Sequence, residues 1–298
     1  MTQAAIPLIE ISDDQESIAR ATIGEISHIA TLPEVTLKVI RLVEDPDSTA
    51  QDLNQIINND PALGTRILKV VNSSFYGLPG QIGSINRAIV LLGLNGLKNV
   101  AIAASLAKLF RGGRICDGFN ARVLWTHSLG VASGTRILAA KSGLGLPDEA
   151  FLAGLIHDLG IMVAMQTRRQ SLIEAIETLE GNPGMTFRQA EEAALGITHE
   201  HLGLVLCRAW KFPACFWSVS GFHHRPLEAP EEHQVLTALV HIADVLAARV
   251  GVGYTRTVEH EQVADELLGL TGITRQQLEE TVEELPGAVE EAATLLQA

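Results

Sequence analysis

A carboxylate inside an apolar run constrains this chain more than any other feature. The segment Phe151-Leu-Ala-Gly-Leu-Ile-His-Asp-Leu-Gly-Ile-Met-Val-Ala-Met165 places His157 and Asp158 where a helical protein carries leucine. Read as helix, Asp158 falls three residues after Leu155 and four before Met162, on the apolar face. An unpaired charge there costs several kcal/mol, and a metal ion is the commonest compensation.

Four other places repeat the pattern. His127 lies four residues after Val123 and four before Val131, and Asp244 lies four after Val240, so both face inward on helices. His199 stands in Gly196-Ile-Thr-His-Glu-His-Leu-Gly203 with His201 close by, and at least one of that pair is expected to be merely solvated. His223-His224 completes the set. A single inward histidine is more often a hydrogen-bonded core residue than a ligand. Together these residues weigh more, because imidazole and carboxylate are the donors that divalent zinc, iron and manganese accept. His127, His157, Asp158 and Asp244 suffice for one ion. His199, His223 and His224 add a second, with Asp158 as the bridge. Two ions about 3.5–4 Å apart activate a water and stabilise a phosphoryl transition state. Spacing alone does not bring these residues together in space.

The rest of the chain supports an all-α fold. It is 298 residues long and 47% hydrophobic, with an aromatic share of only 4%, so Ala, Leu, Ile and Val carry a core of close-packed helices. Helix starts are marked at Thr31-Leu-Pro-Glu34, Thr49-Ala-Gln-Asp52, Asp60-Pro61, Thr186-Phe-Arg-Gln189 and Thr274-Arg-Gln-Gln277. No run alternates like a strand for more than a few residues. The expected organisation is a flexible arm over 1–16, an N-terminal helical part over 17–112, a histidine-bearing core over 113–250 and acidic helices over 251–298. In that last part the acids read as a solvated face beside a helical apolar stripe.

Several other features read plainly. Cys116, Cys207 and Cys215 are odd in number and lack C-x-x-C spacing, so they read as buried free thiols. Asn72 to Gly77 reads as a helix C-terminus, Arg168-Arg169 as a solvated pair and His241 as a core or supporting residue. The net charge of −13 opposes nucleic acid and anionic lipid as partners. The first twenty residues lack a basic start and a continuous apolar stretch, and the apolar run from Ala88 to Phe110 is broken by Asn95, Lys98, Asn99 and Lys108. Cytoplasmic residence is the expectation.

The order His127, His157-Asp158, Asp244 resembles the H…HD…D signature of the HD superfamily of metal-dependent phosphohydrolases. His199-x-x-x-Gly203, Trp210-Lys-Phe-Pro213 and His223-His224 are similar to the extended form in HD-GYP phosphodiesterases and their HDOD relatives. The front half decides between those two: Leu32-Pro33, Asp45-Pro46, Asp60-Pro-Ala-Leu-Gly-Thr-Arg-Ile-Leu68, Asn72-Ser-Ser-Phe-Tyr-Gly77 and Ser84-Ile-Asn-Arg-Ala-Ile-Val-Leu-Leu-Gly93 resemble an HDOD domain over about residues 20–250. The resemblance implies a multi-helix HDOD domain with an HD-type core, an N-terminal helical bundle and a site for one or two iron, manganese or zinc ions.

The chain also departs from the catalytic relatives. HD-GYP enzymes carry a phosphate-neutralising lysine three residues after the HD aspartate, and here that position is Ile161. Arg225-Pro-Leu-Glu-Ala-Pro230 replaces the GYP stretch, and Val123 stands where a dinuclear site often has a further glutamate. The leading expectation is therefore a regulatory module that keeps its metal ligands, lacks ordinary phosphodiesterase activity and works through other signalling proteins. The alternative is a metal-dependent phosphohydrolase acting on a nucleotide or cyclic dinucleotide.

Overall fold

Capping chemistry sets the helix starts. The Thr49 hydroxyl accepts from the Asp52 N–H while the Asp52 carboxylate accepts from the Thr49 N–H, and the same exchange joins Thr186 to Gln189 and Thr274 to Gln277. Two otherwise orphaned donors are satisfied each time. Asp60 accepts from the Leu63 N–H ahead of Pro61, whose missing donor is harmless in the first turn. The computed structural model describes residues 13–26, 34–45, 47–73, 76–78, 80–110, 114–260 and 262–296. The expected start at Thr31 lies outside these, as do Pro46 and the Ser74-Phe75 part of the Asn72 to Gly77 motif.

The fold is helical, as the composition implies. The N-terminal bundle consists of α2 (Glu34–Glu44), α3 (Ala50–Asn58), α4 (Pro61–Val71) and α5 (Ile85–Leu106). Its core is the periodic set Leu53, Ile57, Leu63, Ile67 and Val71, all at most 1% exposed. Asn72 ends α4 by donating its side-chain amide to the carbonyls of Leu68 and Ile82.

The histidine-bearing core contains α6 (Ala121–Ser142), α7 (Pro147–Ile156), α8 (Leu159–Thr167), α11 (His199–Ala209), α12 (Ala214–Phe222) and α13 (Glu231–Arg249). Here α6 packs on α7 and α13, α8 on α11, and α12 on α7, α11 and α13. The pair α9 (Arg169–Gly181) and α10 (Phe187–Leu195) leans on this core through α8, and α5 joins the bundle to it through α7. Finally α14 (Asp265–Thr271) and α15 (Arg275–Leu295) return onto α13, with α15 also lying along α6. The acidic stretch behaves as a paired, solvated face. Leu278, Leu285 and Val289 are buried, while Glu279 pairs with Arg249 and Glu280 and Glu284 pair with Lys141.

Three local features differ from the sequence reading. A helix, α1 (Asp13–Ile26), begins inside the expected flexible arm and packs on α8 and α11. A short antiparallel hairpin, β1 (Arg114–Cys116) with β2 (Phe119–Asn120), precedes α6; five strand residues are too few to show alternation. The run from Phe151 to Met165 is two helices, with His157 and Asp158 at the break between α7 and α8. Among the described residues, two helical stretches are apolar enough to cross a membrane, Ile85–Leu106 and Pro147–Thr167, and they are packed into the fold, 56% and 89% buried over their apolar windows.

Two glycines allow backbone to approach backbone around the core, one in α8 and one in the turn after α13. A Cβ at Gly160 in α8 would stand 1.9 Å from the His199 carbonyl oxygen, so α8 crosses the start of α11 backbone to backbone. Gly253 has φ +68°, and a Cβ there would meet the His127 amide nitrogen at 2.3 Å. Only glycine meets both demands.

Candidate metal centre

Each donor is presented by a distinct local device. His127 projects from the middle of α6 and Asp244 from the middle of α13, which pack against one another. His157 and Asp158 occupy the α7–α8 break, His199 is the first residue of α11, and His223 caps the end of α12 with His224 in the turn beyond. The fold brings all seven sequence-identified residues together.

They converge as two groups that share Asp158. The first contains His127 Nε2, 3.0 Å from Asp244 Oδ1, and His157 Nε2, 3.2 Å from Asp158 Oδ2. In the second, His199 Nε2 lies 3.3 Å from His223 Nε2 and 3.1 Å from His224 Nε2. Asp158 Oδ1 lies 3.5 Å from His199 Nε2 and 3.4 Å from His223 Nε2. One carboxylate thus turns one oxygen to each group. His127, His157, Asp158, His199, His223 and Asp244 are at most 1% exposed, and His224 alone is half-buried.

Backbone carbonyls orient most of the imidazoles. Nδ1 of His157 meets Gly154 O at 2.7 Å, that of His223 meets Ser220 O at 3.2 Å, and that of His127 meets Val252 O at 3.4 Å. A carbonyl only accepts, so these Nδ1 atoms carry protons and the Nε2 atoms are the ones that point inward, where each can offer a lone pair to a metal once it carries no proton of its own. His199 is held by Glu191, whose Oε2 lies 2.6 Å from Nδ1 and also accepts from the His199 backbone N–H at 3.0 Å.

This arrangement fits a cation. The buried atoms His127 Nε2, His157 Nε2, both Asp158 oxygens and Asp244 Oδ1 have no hydrogen-bond partner. Orphans of this kind carry a desolvation cost of roughly 1–3 kcal/mol each. Clustering five of them, lone pair toward lone pair, is explained by a positive ion at their centre. Imidazole with carboxylate and without thiolate is the donor set of zinc, iron or manganese.

Protonation follows the same layout. Burial alone would push the Asp158 carboxyl up, but the surrounding imidazoles of His157, His223 and His199 hold it well below the usual carboxylate range. Burial pushes the His224 imidazole well below its ordinary value, and His223 and His199 add to the shift. Burial opposes charge on His199 as well, yet the Glu191 carboxylate outweighs it and lifts the group to about 9. A metal bound at His199 Nε2 would therefore displace a proton.

Some neighbours escaped the sequence reading. Glu191 is fully buried and orients His199; its signal, one acid in Gln-Ala-Glu-Glu-Ala-Ala, is indistinguishable from a solvated helix face. Glu200 is also fully buried, 2.8 Å from Arg188 Nε and 3.7 Å from Arg225 Nε. His201, grouped with His199 as a pair with a solvated member, is buried and pairs with the Thr198 hydroxyl through Nδ1 at 3.0 Å. Neither residue of that pair is solvated. His241 supports the site by donating from Nδ1 to His223 O at 2.8 Å. Ile161 is fully buried in α8.

The fold and the donor set define a helical protein with a buried histidine–aspartate site suited to a transition metal. Residues 29–226 match the HDOD domain, and the chain belongs to the HDOD family. The matched stretch contains six of the seven donors, and α13 supplies Asp244 from beyond it. The chain is similar to an uncharacterized protein of Treponema pallidum (strain Nichols), 27% identical over 288 residues, covering 96% of this chain and 54% of that protein. It therefore spans about half the length of this curated relative. Its fold is similar to an HDOD domain protein of unknown function from Geobacter sulfurreducens, with a TM-score of 0.79 at 24% identity over 96% of this chain and 99% of that one. A chain from Marinobacter aquaeolei VT8 has a TM-score of 0.74 at 21% identity over 97% of this chain and 68% of that one.

Glu191→Gln is the direct test of how His199 is held. Carboxylate partners of metal-bound imidazoles contribute about 10–100-fold in affinity. The variant is expected to bind zinc that much more weakly by competition titration, with the helical circular dichroism unchanged.

Proposed function

We propose that this chain is a cytoplasmic regulatory HDOD module that holds two first-row divalent ions, iron, manganese or zinc, without turning over phosphodiesters. It works through other signalling proteins. The observation that carries this reading is the burial of the donors: six of the seven are at most 1% exposed, which leaves His224 as the one donor with partial access to solvent. Ile161 supports it further, since an aliphatic side chain buried three residues after Asp158 has no charge to offer a phosphate.

When bound, the ions would polarise a ligand oxygen and hold the core together. His127, His157, Asp158 and Asp244 would hold one, and His199, His223, His224 and Asp158 the other. Backbone carbonyls and Glu191 fix the imidazole orientations, while Asp158 ties the two groups to one rigid break. The competing reading, a phosphohydrolase acting on a nucleotide or cyclic dinucleotide, draws on the same bridging Asp158, a layout that two-metal hydrolases require.

Turnover separates the two readings. Metal-loaded protein is expected to hydrolyse cyclic dinucleotides, nucleoside phosphates and aryl phosphodiesters no faster than metal-free protein. A rate of about 1 per second or more on any of these, abolished by Asp158→Ala and by chelation, overturns the regulatory reading.

A further inference from the structure

The two donor groups are built unequally. Four of the five imidazoles have Nδ1 tied down: His127 to Val252 O, His157 to Gly154 O, His199 to Glu191 and His223 to Ser220 O. Turning any of these rings away breaks a hydrogen bond and strands a buried donor. Among the described residues, Nδ1 of His224 has no such tie. His224 is also the one half-buried donor, and it sits in the turn after α12 rather than inside a helix.

Charge is distributed unequally as well. The group of His127 and His157 has Asp244 to itself and shares Asp158, whereas the group of His199, His223 and His224 has only its share of Asp158. A divalent ion in the second group has fewer anionic donors in direct contact, since the Glu191 carboxylate reaches it only through the His199 ring. Glu200 adds little to the balance, since Arg188 and Arg225 flank it, and these in turn reach Glu259 at 3.5 Å and Glu228 at 2.7 Å.

We propose that His224 is a detachable ligand, so that the ion held by His199 and His223 exchanges and accepts a small anion in place of this imidazole, while the ion held by His127, His157 and Asp244 stays fixed. The inference rests on the two-ion reading above. The exchange is a ligand substitution: the His224 Nε2–metal bond breaks, the ring rotates toward solvent with its lone pair, and the anion donates a pair to the same metal position. No oxidant or reductant takes part.

The test uses the full-length chain loaded with cobalt(II). On addition of excess EDTA, half of the cobalt is expected to leave on the order of tenfold or more faster than the other half. Azide is expected to change the visible absorption of the fast half only. His224→Ala and the size-conserving His224→Gln should each speed release of the fast half further and leave the slow half at its wild-type rate, which also shows that they fold. Release of both ions in one phase, loss of both ions in the His224 variants, or an azide-silent spectrum overturns the proposal and leaves the two-ion reading standing. Uptake of a single ion, or of none, overturns both.

Discussion

Asp158→Ala protein is expected to purify without metal in either donor group and to melt well below the wild type. The reason is the position of the two oxygens, one toward His157 and the other toward His199 and His223, all buried. Removing the carboxylate leaves imidazoles as the whole second group and deprives the first of a charged donor. Ligand binding stabilises the native state by about 4 kcal/mol when free metal exceeds its dissociation constant a thousandfold. For a chain of this size each kcal/mol moves the melting temperature by roughly 2–4 °C, so a fall on the order of 10 °C is expected. Elemental analysis and differential scanning calorimetry, with and without chelator, check both halves. Full metal content and unchanged melting would make Asp158 a structural carboxylate and remove the basis of the two-ion reading.

The second large effect is expected at a residue with no chemistry. Gly160→Ala adds one methyl group, but its Cβ would stand 1.9 Å from the His199 carbonyl oxygen and 2.9 Å from the Gly203 nitrogen. Those are backbone atoms of α11, so relief requires the helix to move, and His199 moves with it. Overpacking of this kind costs about 1–3 kcal/mol and more where backbone is the obstacle. The variant is expected to lose stability by at least that much in urea and to weaken the group of His199, His223 and His224 in the same preparation. Gly181→Ala is the control, because a Cβ there meets nothing within 4 Å. Equal stability of the two variants would show that α8 and α11 tolerate separation.

What the sequence revealed and what it hid follow one physical rule. His127 and Asp244 were legible because a polar residue on an apolar helix face breaks a periodic pattern, and the pattern is local. Their meeting was not legible, because it depends on the packing of α6 against α13. Glu191 was hidden for the opposite reason: an acid beside another acid in an amphipathic helix breaks no pattern, and only the fold places it against His199. The break at His157-Asp158 left no mark either, since apolar residues continue on both sides and no proline intervenes. Capping boxes at Thr49, Thr186 and Thr274 were legible to the residue, because both partners lie within four positions of each other. Ranking the five imidazoles by how firmly each is held needed the Nδ1 partners, three backbone carbonyls and the Glu191 carboxylate, which only the fold brings up to the rings.

The burial of the group formed by His127, His157 and Asp244 bears on metal identity. Equilibrium affinities at nitrogen and oxygen sites rise along the first-row series toward copper, so a freely exchanging site fills with the tightest binder rather than the intended one. Here α6 and α13, distant in sequence, have to dock around the break between α7 and α8 before the donors face one another. An ion enclosed by that docking would leave only when the helices part, an event governed by an unfolding barrier rather than by affinity. On the two-ion reading the occupant would then be fixed by kinetic trapping: the metal present where and when the chain folds would be the metal it keeps.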